Sequence, residues 1–413
     1  MSKPLKDRST VPKLTSLGEQ FDLSDGEAAS DILDAVVSGR VTTRSKLRFW
    51  FANDTNTQAS QAFTLGIRAG YLTQEYGGFQ AFAEVNHVEA LTPNNYFDGV
   101  NNNVDRTFVG DVEQTELNQA WIQFNTSTPY LELNARIGRQ ASAAVDERFI
   151  GSTGSRQGEQ TFDAAVLAAS FGPQKRVSLE YSYIDKVQRI FDADALDYES
   201  DSHAVRAAYI SDEIGVFSAF AVLLDLEQSS PELSNQTYGV SLDKRGANPN
   251  ALDLVYSIGF AYQKDFGSNP QDYEATSLYA EAGVSVPDLA IVSLGFEQSS
   301  SDAGEEAFQY SLTTGQRLHR LSDTFLTTPD DGLRDYFLNV ELPNLPWRTF
   351  GELNYHYYRT EENGRELGQE AGLSLTKPLT PNLAVSFLAS YFESEDPAFP
   401  SLELFNLEFN LQF

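Results

Sequence analysis

Phe405-Asn406-Leu407-Glu408-Phe409-Asn410-Leu411-Gln412-Phe413 alternates strictly between apolar and polar residues. A period of two puts the five apolar side chains on one face of an extended strand and the four polar ones on the other. One face suits oil and the other suits water. A soluble sandwich alternates in the same way, but rarely ends a long chain on an aromatic. Residues 401–413 therefore read as the closing strand of an all-β protein, a transmembrane antiparallel up-and-down β-barrel. Earlier strands should pair in sequence until this last one meets the first.

Composition supports one large barrel. No apolar run approaches the roughly 18 residues of a membrane-crossing helix. Barrel strands need only about ten alternating residues each, so hydropathy averaging hides them. Helices and closed barrels alone satisfy every backbone polar group in lipid. Cysteine is absent, which removes disulfides and thiolate metal sites. The formal charge, 29 − 59 = −30, disfavours nucleic acid. It suits acidic loops above a membrane, where divalent cations bridge carboxylates to lipopolysaccharide, or simply solvated loops. Met1 to Lys6 shows no apolar signal core. A mature chain or a cytoplasmic protein would explain that, and the strand pattern favours the first.

Residues 1–39 read as a polar leader with a short periplasmic helix. Ser24 or Asp25 can cap it, Ile32, Leu33, Val36 and Val37 share a face, and Gly39 ends it. An anchor at the periplasmic mouth is preferred over a plug in the lumen. Residues 40–413 read as a single outer-membrane barrel. Strands are predicted near 40–52, 62–76, 78–91, 115–126, 130–140, 161–171, 175–187, 201–211 and 214–226. Nine more are predicted near 235–245, 251–264, 272–286, 288–299, 334–342, 347–360, 367–377, 382–394 and 401–413. Short turns such as Gly77-Gly78 and Pro287-Asp288 alternate with long loops at 92–114, 141–160 and 300–333. An even count of about eighteen puts both termini on one side, expected to be the periplasm. A soluble propeller would need shorter strands and a fixed repeat, and no repeat is present.

One stretch is more specific. It contains Thr115-Glu116-Leu117-Asn118-Gln119-Ala120, Gly138-Arg139-Gln140, Glu147-Arg148-Phe149-Ile150-Gly151, Ser155-Arg156-Gln157-Gly158-Glu159-Gln160-Thr161-Phe162-Asp163-Ala164 and Val187-Gln188-Arg189-Ile190-Phe191. This series resembles the alginate-export family of outer-membrane porins. Ser38-Gly39-Arg40 and Leu65-Gly66-Ile67-Arg68-Ala69-Gly70 look similar too, so the likeness covers about residues 30–195. The resemblance implies an eighteen-stranded monomeric barrel. It also implies a passive pore with an arginine-rich lumen for an anionic uronate polysaccharide such as alginate. A planar carboxylate matches the guanidinium fork. Successive weak sites let such a solute enter and leave.

Strand parity points Arg44, Lys46, Arg48, Arg68, Arg136, Arg206 and Arg245 inward. Arg139, Arg148, Arg156 and Arg189 fall at strand ends or in loops, where a constriction would form. Of these, Arg48, Arg68, Arg136, Arg139, Arg148, Arg156 and Arg206, with Glu84, Glu116 and Asn118, make up the expected solute-binding lumen. Loop 141–160 is long enough to fold inside. Parity also points Glu84, Glu132, Asp163, Glu180, Asp243, Asp253, Glu281, Glu297, Glu352 and Glu370 inward. Such mixed rows can pair and stiffen the wall instead of binding solute. They make a neutral or mixed-charge solute as compatible as a uronate. Across the seam, Asn406, Glu408 and Asn410 are expected near Arg44, Lys46 and Arg48.

Other functions find less support. The four histidines, His87, His203, His319 and His356, sit in no nucleophile, metalloprotease or phosphate-loop motif, so no enzyme is expected. No cofactor is expected, although Asp192, Asp194 and Asp197 offer carboxylates to calcium. About forty residues precede the first strand, too few for the plug of an active transporter. A non-transport anchor or adhesin is the remaining alternative. Expected partners are outer-membrane lipid, lipopolysaccharide, a saccharide solute and the barrel-assembly machinery, which would read the terminal Phe413.

Overall fold

The computed structural model describes residues 28–141, 145–152, 156–191, 196–227, 229–245, 251–313 and 322–413. Eighteen long strands form one sheet, each antiparallel to its neighbours in sequence. The sheet closes because the last strand, Leu402–Gln412, pairs with the first, Arg40–Asp54. Closure removes both sheet edges, so every strand has two neighbours. A separate small ladder joins Ser301–Asp302 to Glu306–Ala307 inside the longest loop.

The strand ends follow the alternation closely. Thr161–Phe171 stands where the pattern predicts it. Ser60–Leu72 stops four residues before its predicted end, because the chain turns towards Gly77 and Gly78, whose φ values are +61 and +88. Only glycine adopts such angles freely. Tyr198–Ser211 begins three residues early, in what reads from sequence as acidic loop.

The outward rows are apolar and exposed, as a lipid-facing wall requires. Ile122 is 55% exposed and Leu294 67%. The inward rows break the apolar-out rule in one sector. Phe162, Ala164, Val166, Ile184, Ala204, Val222 and Leu224 point inside and are buried. They are covered there by Val145, Ile150 and Leu312, which belong to the loops at 141–160 and 300–332. The loop after Ala90 behaves alike: its Tyr96 and Val109 pack on inward Ala52, Ala62 and Ala90. Three long loops therefore fold into the barrel, and each brings its own apolar core.

The short helix is Ile32–Val37. Its cap is Asp31, whose carboxylate accepts from Asp34 N at 2.9 Å. The predicted caps, Ser24 and Asp25, lie outside the described residues. The helix does not enter the lumen. Gln74 N donates to the Ala35 carbonyl at 2.9 Å, and Tyr71, on an outward row, donates its hydroxyl to the Val36 carbonyl.

Candidate functional site

The first strand carries Arg44, Lys46 and Arg48 on its inward row. On one side its register sets Arg48 opposite Glu408, Lys46 opposite Asn410 and Arg44 opposite Gln412. On the other side Arg44 stands directly opposite Arg68. Like charges paired across a ladder are destabilising. Arg48 is fully compensated: its Nε and Nη2 donate to Glu408 Oε2 at 2.8 and 2.5 Å, and its Nη1 donates to Asp111 Oδ1 at 2.9 Å. Asp111 comes from the loop after Ala90 and also accepts from Thr64 Oγ1. Arg44, by contrast, has no ion-pair or hydrogen-bond partner among the described residues.

The loop segment Arg156 to Gln160 lies against this basic wall. Arg68 donates to Glu159 Oε2 at 2.8 Å and to the Gln157 carbonyl at 3.2 Å. Asn118 donates to both Glu84 and Glu159, at 2.7 and 2.9 Å. Glu116 accepts from Asn86 and Gln114. Lys46 Nζ donates to the Arg156 carbonyl at 3.2 Å, and Gln157 Nε2 donates to the Lys46 carbonyl at 3.1 Å. Gly66 makes the approach possible, since a Cβ there would lie 2.2 Å from Gln157 Oε1. Five predicted lumen residues, Arg48, Arg68, Glu84, Glu116 and Asn118, thus gather at one place.

Polar contacts then cross the lumen. Arg156 meets Asp323 of the longest loop at 2.7 Å. Burial pushes the Asp323 carboxyl above the usual range, and Arg156 pulls it only part of the way back. Asp323 Oδ1 has no hydrogen-bond partner. The neighbouring Ser322 donates at 2.6 Å to Glu370, on the third strand from the first across the seam. Arg148, from the same loop as Arg156, reaches a different wall and sits 3.7 Å from the centre of the Tyr279 ring. Ile150 and Leu312 form a parallel bridge, so the two loops also join through backbone.

The remaining predicted residues separate. Arg136 is inward, 4.1 Å over the Trp121 ring, and donates twice to Gln123. Arg206 is inward beside Glu180 and donates to Ser218. Arg139 and Asp163 are not in the lumen. They face each other on outward positions, opposite Ala120 and Arg139 respectively, and form a two-pronged ion pair at 2.8 and 3.0 Å. Arg136 inward makes Arg139, three residues on, outward. Asp163 is outward because Phe162 and Ala164 are drawn inside by the folded loop. Arg189 stacks over Phe191 and Tyr198. Asp192, Asp194 and His319 lie outside the described residues, while Asp197 faces Lys186 at 3.4 Å.

A cavity of about 290 Å³ lies against the first two strands. Arg44, Lys46 and Arg68 supply three cationic side chains and Glu408 the one acidic side chain. Asn86, Gln157, Asn410 and Gln412 supply amides. Sequence reasoning left Gln157, Glu159, Asp111 and Asp323 outside the site. All four are loop residues, and no periodicity marks a loop side chain as inward.

Residues 77–210 match the alginate-export family model. The alginate-export segment holds Glu84, Glu116, Asn118, Arg136, Arg148 and the inward-folded Arg156–Gln160, while Arg44 and Arg68 precede it. The whole chain has the fold of outer-membrane porin-type barrels. It is similar to the outer membrane protein OpdK of Pseudomonas aeruginosa, at 14% identity over 91% of this chain and 99% of that one, with a TM-score of 0.66. OpdO of the same organism matches at 11% identity, over 92% and 98%, with a TM-score of 0.68. OccAB4 of Acinetobacter baumannii matches at 13%, over 91% and 98%, with a TM-score of 0.67. OpdK has also been solved with vanillate. No curated protein matches the sequence.

Proposed function

We propose that this barrel is a passive diffusion channel of a bacterial outer membrane whose passage favours small solutes bearing a carboxylate. The observation that carries the reading is Arg44 standing opposite Arg68, with Gln412 on its other side and no carboxylate partner. Paired charges would stiffen a wall. Arg68 is held by Glu159, but Arg44 beside it is held by no carboxylate among the described residues and leaves a positive potential in the cavity. Breaking a local pairing rule in this way is common where a site serves function. A guanidinium and an ammonium bind a planar carboxylate well yet release it readily in a hydrated lumen.

The solute class accords with two of the likenesses. A uronate unit, the building block implied by the alginate-export segment, carries such a carboxylate. So does vanillate, the molecule present with OpdK. Three loops folded into the lumen favour a single sugar acid or aromatic acid over a threaded polymer. In this reading the termini and short turns face the periplasm and the long loops face lipopolysaccharide. The barrel-assembly machinery inserts the chain as a monomer.

Planar-bilayer recording under a salt gradient tests the proposal. Discrete conductance steps, a reversal potential on the anion side and block by free galacturonate are expected. Block by polyuronate alone would replace the small acid by the polymer. A protein that inserts without conductance would sink the channel and leave the anchor or adhesin reading.

A further inference from the structure

The helix Ile32–Val37 leaves its apolar side chains uncovered: Leu33 is 71% exposed and Val37 68%, with Ile32 and Val36 beside them. At about 100° per residue these four form one stripe, with Asp34 and Ser38 on the other side. Six residues are too few for a helix to persist unaided in water. This one is nevertheless fixed in place. Asp34 accepts from Ser30 N, Ser30 Oγ and Ser38 Oγ. Ala29 N donates to the Glu75 carbonyl at 2.8 Å and Gln74 N to the Ala35 carbonyl. Gly39 lets the chain lie close to the barrel, since a Cβ there would sit 2.5 Å from the Leu72 carbonyl.

The place of docking decides what covers the stripe. Tyr71, which donates to the Val36 carbonyl, belongs to the outward row, so the helix sits outside the barrel at its short-turn end. That end carries exposed apolar side chains all the way round, on or beside the turns: Tyr130, Phe171, Ile214, Leu289, Trp347 and Leu379. Such a ring marks the boundary between hydrocarbon and headgroups on a membrane barrel. The helix continues the ring over the first two strands, beside Val41, which is 67% exposed.

We infer that Ile32–Val37 is an interfacial foot, with its apolar stripe seated in the lipid of the leaflet at the short-turn end. Short amphipathic helices bind that zone by burying apolar area among headgroups and upper acyl chains. This goes beyond the channel reading and needs only a barrel in a bilayer, so it survives if no conductance is found.

The chain has no cysteine, so single labels are clean. Leu33→Cys, Val37→Cys and, for the polar side, Ser38→Cys would each carry an environment-sensitive dye, nitrobenzoxadiazole. The full-length protein would be reconstituted in phosphatidylcholine–phosphatidylglycerol vesicles. Folding of each variant is verified by heat-modifiable gel mobility. Shallow doxyl-labelled lipid should quench positions 33 and 37 several-fold more than 38, and aqueous iodide should show the reverse order. Iodide quenching of 33 and 37 equal to that of 38 would overturn the inference. Shielding of 33 and 37 from both quenchers, lost when residues 1–27 are deleted, would overturn it too and assign the stripe to the chain's own N-terminal segment.

Discussion

Arg156 and Asp323 meet 2.7 Å apart although 167 residues separate them. Each comes from a long loop that has turned into the barrel, and the two loops leave from strands that are not neighbours in the sheet. The pair is the middle of a polar chain that runs from Lys46 on the first strand to Glu370, three strands away across the seam. Among the described residues the two loops are joined by this ion pair, the Ile150–Leu312 bridge, the hydrogen bonds of Gln160 and Thr313 and a shared apolar core, and these contacts set the width of the passage.

Arg156→Ala should widen and destabilise the passage. It leaves Asp323 buried without its partner, a loss of roughly 1–3 kcal/mol. Single-channel recording should show larger conductance and more frequent gating. Unchanged conductance and gating would mean that the loops are held by their apolar cores alone.

The same pair gives a pH dependence with a definite sign. The docked Asp323 carboxyl titrates above its ordinary range because burial disfavours its charge. A raised value in the docked state means docking is favoured below the ordinary carboxylate range and loses support as pH rises through the raised value. Gating should therefore become more frequent with rising pH in the wild type. Asp323→Asn should remove that component, and gating that tracks pH equally in both proteins would contradict it.

Arg44→Ala should reduce anion preference without loosening the wall. One unit charge about 4 Å from an ion in water-like surroundings is worth about 1 kcal/mol, or about fivefold in occupancy. The shift in reversal potential should be clear at 0.1 M salt and should shrink at 1 M, where the screening length is about 3 Å. Arg139→Ala, on the outer wall, should leave selectivity and conductance unaltered. An equal effect from both would remove the lumenal explanation.

Glu408→Ala should weaken the seam. Arg48 is 3% exposed and would lose its Glu408 carboxylate while keeping that of Asp111. Removing one partner of a buried pair costs about 3 kcal/mol. Urea unfolding in vesicles should show a lower midpoint, with Glu408→Gln between the two. A midpoint equal to wild type would show that backbone closure suffices.

The sequence alone determined the barrel. Alternation in stretches such as 161–171 and 402–412 sets eighteen strands, because a one-residue slip would turn every apolar side chain towards water. It also brought the first and last strands together at the seam, although the register sets Asn406 opposite Trp50 and Gln412 opposite Arg44, so that the row of partners is Glu408, Asn410 and Gln412. Arg44, Lys46 and Arg68 were legible as inward for the same reason. Tertiary structure decided which arginines form the site. Asp163 stands on the outer wall because apolar Phe162 and Ala164 found a loop, not lipid, to pack against, and it meets there an Arg139 that parity with Arg136 already turns outward. Gln157, Glu159 and Asp323 entered the lumen because their loops fold inward. A strand's period fixes the direction of each of its side chains, whereas a loop's direction is fixed only by the surface it buries.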